Sequence, residues 1–111
     1  MAALRVLAVG FGILAGAAGP LVGGPPIGAW VSARGAALEV SDQATCTFVV
    51  PNARADGQCV WHPSSMGGIL NIQYQANTPT GSRIQVLYLD IRWVNATTIT
   101  VTGEVFHRTR W

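Results

Sequence analysis

RIQVLYLDIRW, residues 83–93, is the stretch that decides the fold. Gln85, Leu87, Leu89, Ile91 and Trp93 share one parity, and Ile84, Val86, Tyr88, Asp90 and Arg92 share the other. The first set is apolar beyond its glutamine, while the second turns polar toward its end. Successive side chains leave a strand on opposite faces, so this alternation predicts a long, half-buried β-strand.

The same grammar extends in both directions. Upstream, Leu70, Ile72 and Tyr74 alternate with Asn71, Gln73 and Gln75, and the loop Asn77–Gly81 separates this run from the long one. Further back, Thr45–Val50 is β-branched and aromatic and stops at Pro51, the cluster NARADG (52–57) has turn composition, and Gln58–Trp61 resumes extended character. Downstream, Thr98–Arg108 reads as one strand with Ile99, Val101, Val105 and His107 on one side, Phe106 on the opposite side and Gly103 as a mid-strand bulge. No window beyond Arg34 carries apolar residues at helical spacing. These observations predict an all-β domain, a small antiparallel β-sandwich or open barrel of about five strands.

The N-terminal third is of a different kind. Twelve residues of the chain are charged, and eleven of them lie between Arg34 and Trp111; Val6 to Ala33 has none. The chain therefore divides into an apolar Gly/Ala/Pro-rich arm or helix at residues 1–34 and a β-domain at 35–111. Three readings of the first part compete. A secretory signal would have a basic start at Arg5, an apolar core and a small-residue site at Ala15-Gly16-Ala17, with a later site at Val31-Ser32-Ala33. A membrane segment would use residues 4–22, with Gly12 and Gly16 forming a GxxxG face for close helix contact. An arm docked on other subunits would satisfy its backbone groups against a partner chain. On the last reading, removal of residues 1–30 is expected to leave a folded domain that no longer assembles.

All seven basic residues are arginine, and the net charge of +2 is too small to mark a nucleic-acid or acidic-membrane surface. Cys46 and Cys59 bracket the NARADG turn; they fit a hairpin disulfide and equally fit two reduced thiols. With His62 they give C-x12-C-x2-H, which falls short of the four ligands of a structural zinc site unless distant His107 joins. Ser64 or Ser65 with His62 and Asp56 or Asp90 has neither the spacing nor the nucleophile-elbow setting of a hydrolase. No catalytic residue, cofactor site or metal site is therefore expected.

The terminus FHRTRW (106–111) mixes aromatic and guanidinium groups, as protein interfaces do. Phe106, Arg108, Arg110 and Trp111, joined by Arg92 and Trp93 and by Gly12 and Gly16 of the arm, form the expected interface set. The function expected is a non-enzymatic structural protein: a small β-domain built through its apolar arm into an oligomeric assembly of other protein subunits. A virion, as a minor or cementing protein, or a membrane-associated envelope layer reached through residues 4–22 would be its place. The alternative is an exported periplasmic or extracellular binding module with a cleaved signal peptide and one disulfide.

Overall fold

The computed structural model describes residues 23–111. Expectations resting on Gly12, Gly16 and residues 4–22 lie outside them. The described chain is all-β, with eight strands: β1 (Gly28–Ser32), β2 (Ala37–Val40), β3 (Thr45–Val50), β4 (Ala53–Ser64), β5 (Gly67–Thr78), β6 (Gly81–Asn95), β7 (Thr98–Val101) and β8 (Glu104–Arg110). Each strand pairs antiparallel with its chain neighbours, and β1 returns to pair with β8, closing a barrel.

The closed eight-stranded barrel replaces the expected sandwich or open barrel of five strands, and the difference has three local causes. First, β1 hides in the uncharged segment. Its residues Gly28, Ala29 and Trp30 are buried in succession, so no alternation betrays a strand. The barrel thus takes in residues that the charge pattern groups with the N-terminal third. Second, β2 is only four residues long. Third, Thr98–Arg108 is a hairpin. Thr102 and Gly103 both take left-handed φ (48° and 89°), the conformation of a two-residue type I′ turn. This turn pairs Val101 with Glu104 and Ile99 with Phe106, so parity inverts across it. Phe106 consequently points inward with Ile99 and Val101, while Val105 and His107 are exposed. The NARADG cluster shifts as well: the turn is Pro51–Asn52, and Ala53–Gly57 already belongs to β4.

Inward-facing side chains fill the barrel. Trp30, Leu38, Leu70, Ile72, Ile91, Ile99 and Phe106 are essentially inaccessible, with Trp61, Leu89, Trp93 and Val101 packed among them. Leu89, Ile91 and Trp93 are the inner face read from the alternation. Cys46 and Cys59 form a disulfide inside this core. Cys46 lies opposite Gly57, and Cys59, two positions along, reaches it diagonally across the hairpin. A side chain at Gly57 would run into the Gln73 carbonyl of β5. An apolar interior under a surface bearing Arg54, Asp56, Asp90 and Arg92 is the reverse of a porin-type barrel, which is polar within and apolar outside. No helix among the described residues is long and apolar enough to cross a membrane.

β5 and β6 outgrow the barrel. They pair with each other from Gly67↔Arg92 to Thr78↔Gly81, whereas β4 follows β5 only to Tyr74 and β7 joins β6 only from Ile91. The far part of this hairpin projects as a two-stranded ribbon, and the molecule reaches 49 Å along its longest axis.

Candidate functional site

Two surface features stand out from the regular barrel wall. The first is at the end where the N-terminal segment enters. Gly23–Ile27 crosses this end without forming a strand, and three side chains from the wall hold its carbonyls. Trp93 Nε1 donates to Gly24 O at 2.8 Å, Trp30 Nε1 to Pro26 O at 2.9 Å and an Arg108 guanidinium nitrogen to Ile27 O at 2.8 Å. Proline suits such a strap, because it has no N–H to leave unsatisfied. Arg108 also donates to Ala96 O at 3.0 Å, and its guanidinium lies 4.2 Å from the Trp30 ring centroid and 3.8 Å from that of Trp111. Trp30 and Trp93 meet edge to face at 5.6 Å. Partial burial lowers the Arg108 pKa, yet a guanidinium stays charged, so the cation remains clasped between two indoles.

Beside this cluster, Ile27, Glu39, Asp42, Arg110 and Trp111 line an open groove of about 320 Å³. Arg110 pairs with Glu39 at 2.9 Å across it, both side chains being largely exposed. Such a pair contributes little to stability.

The expected interface set divides. Trp93 and Phe106 belong to the core, because the barrel closes over both, and they are not available to a partner. Arg108 is half-buried as a clamp on the strap. Arg92 faces outward near Asp90 (3.7 Å), on the outer wall. Among the described members of the set, Arg110 and Trp111 sit together at an accessible edge.

The second feature, which the sequence reading of an interface missed, is the ribbon. The outer face of β6 shows Ile84, at the base of the ribbon, and Val86 and Tyr88, on the wall next to it, in a row, 63%, 39% and 65% exposed. Their β5 neighbours across the ladder are Gln75, Gln73 and Asn71. The signal was present in the second parity of residues 83–93, where three apolar side chains precede the charges. The opposite face of the ribbon carries a polar tie, Tyr74 Oη donating to Gln85 Oε1 at 3.0 Å.

The groups considered for chemistry do not converge. Asp56 is held on the outer wall by Arg54 (2.7 Å) and Thr47 (2.7 Å), and these hydrogen bonds keep its carboxyl below the usual carboxylate range. His62 lies on the same strand six positions on, about 20 Å away at the rise of a strand. Ser65 lies in the β4–β5 turn, and His107 Nδ1 approaches only Thr98 Oγ1, at 3.4 Å. Among the described residues no cluster of His, Cys, Asp or Glu is arranged to hold a metal.

No protein-family model, curated protein or solved structure matches this chain.

Proposed function

We propose that this chain is a non-enzymatic structural protein, a small barrel built into a larger protein assembly such as a virus particle or a membrane-associated envelope layer. The observation that carries the reading is the outer face of β6, where Ile84, Val86 and Tyr88 lie exposed in a row from the wall to the base of the ribbon. Such a row lies outside the core, and exposed apolar patches mark interaction surfaces. A second contact is the apolar, nearly uncharged sequence 1–22, which joins the barrel at the strap. The test is fractionation of the intact chain from its native source. The full chain should travel with a large particle, and a chain beginning at Gly23 or one carrying Ile84→Ser, Val86→Ser and Tyr88→Ser should be depleted from it. A full chain running free of any particle, or variants that travel like it, would overturn the reading.

A second reading is an exported binding module, with which the Cys46–Cys59 bridge is compatible. A cut after Ala17 would leave the strap and all eight strands intact, whereas a cut after Ala33 would remove β1 and Trp30. Intact-mass analysis separates the readings: a mature chain starting at Ala18 supports export, and one retaining Met1 supports the arm.

A further inference from the structure

Among the described residues, barrel closure leaves its longest open strand edge where β6 overhangs β7. On the β6 side, Gly81–Leu89 has no neighbour among the described residues, because β7 begins pairing at Ile91 and the β7–β8 turn closes the edge at Asp90 through Thr102 N donating to Asp90 O (2.7 Å). Folded proteins protect such edges with lysine, proline, bulges or short length. This one is nine residues long, has no lysine, proline or bulge, and carries a single charge, Arg83, next to the tip. The corresponding β5 overhang, beyond Tyr74, is shorter and polar.

We infer that the occupant of the β6 edge is a second copy of this chain, paired antiparallel about a two-fold axis centred on Gln85. This rests on the assembly reading above and names one of its partners. Three observations select a copy. A two-fold at the middle of the overhang sets Gly81–Leu89 of one chain against Leu89–Gly81 of the other, so each open edge is used from end to end. In that register Gly81 at each ribbon tip lies opposite Leu89 of the other molecule, next to its β7–β8 turn. Finally, Ile84 falls opposite Val86 of the copy, Arg83 opposite Leu87 and Ser82 opposite Tyr88, so no like charges oppose one another and the β-branched pairs stabilise the ladder. The outcome is a four-stranded ribbon whose outer face gathers Ile84, Val86 and Tyr88 from both chains into one apolar patch.

The paired stretch is about 30 Å long at strand rise. An interface of this kind falls in the small class, below about 1,200 Å². The dimer therefore forms and dissociates with concentration.

The test uses the full chain. Sedimentation velocity from low to high micromolar concentration should show the mass doubling, and Val86→Lys should abolish the doubling while leaving the thermal transition of the barrel in place. Under mild oxidation Gln85→Cys should give a covalent dimer in high yield, since that position meets itself on the axis. Gln73→Cys, exposed on β5, should not. Three results would overturn the inference: a Gln85→Cys chain that stays monomeric, a Val86→Lys chain that still doubles, or slow amide exchange at Ile84, Val86 and Tyr88, whose N–H groups face away from β5, in a monomer, which would assign the edge to residues 1–22 of the same molecule. Loss of self-pairing in a chain that still travels with a large particle overturns this inference alone and leaves the assembly reading in force.

Discussion

Arg108 has more partners than any other single charged side chain described here: two carbonyls that no strand satisfies and two indole faces. Lysine cannot reproduce this, because an ammonium has no planar fork to donate in two directions while stacking on rings. Arg108→Ala is expected to cost about 2–4 kcal/mol in urea unfolding, the sum of charge-assisted hydrogen bonds and cation–π contacts, and Arg108→Lys should recover only a minor part. Met66 is strained in the opposite sense. It holds φ 63° at the β4–β5 turn, its side chain lies in solvent, and its carbonyl accepts from Trp93 N at 2.9 Å. Met66→Gly should raise stability by about 0.5–1 kcal/mol, as left-handed backbone suits glycine. The Asp56 carboxyl, depressed by Arg54 and Thr47, contributes stability that is complete above the unfolded carboxylate pKa near 4 and lost as pH falls through the lower folded value. Acid titration of Asp56→Asn against the parent should show that difference vanish at low pH; because the site is exposed, the difference is small.

Among the elements, the hairpin β3–β4 depends on its bridge. The cysteines are separated by 13 positions, and a loop of that size contributes on the order of 3 kcal/mol by restricting the unfolded chain. Replacing both by alanine is expected to lower the melting temperature, with reductant reproducing the effect in the parent. The elements also show what the sequence could disclose. β5 and β6 were legible because each turns one parity of its large apolar side chains into the core, so Leu70, Ile72, Leu89 and Ile91 recur at two-residue spacing. β1 was illegible because three consecutive residues are buried under wall and strap together. The β7–β8 turn was misread because one glycine marks a bulge and a type I′ turn alike; only Phe106, out of phase with Ile99 and Val101, hinted at inversion. The terminal aromatic–arginine cluster was recognised by composition, yet composition cannot tell a clamp turned inward on the chain's own carbonyls from an interface turned outward. The C-terminal tryptophan and Arg110 kept their exposure; Trp93 and Phe106 did not.

For the whole molecule, the seam between β1 and β8 redraws the working boundary of the domain. Trp30 and Phe106 meet the same core from opposite ends of the chain. A chain beginning at Gly23 should therefore fold, whereas chains beginning at Val31 or Arg34 should lose the barrel, as read by near-ultraviolet circular dichroism. This corrects the expectation that residues 1–30 are dispensable for folding. The seam has one more effect, on the time course of folding. Neighbouring strands zip locally, but β1 stays without its second neighbour until β8 has been made and brought back across nearly the full described length. Long-range closure of this kind is slow, since the entropy of the intervening loop is lost before any contact rewards it. The β1–β8 seam is therefore expected to close after the local hairpins, and a nascent chain in which β8 has not yet been made has no closed barrel.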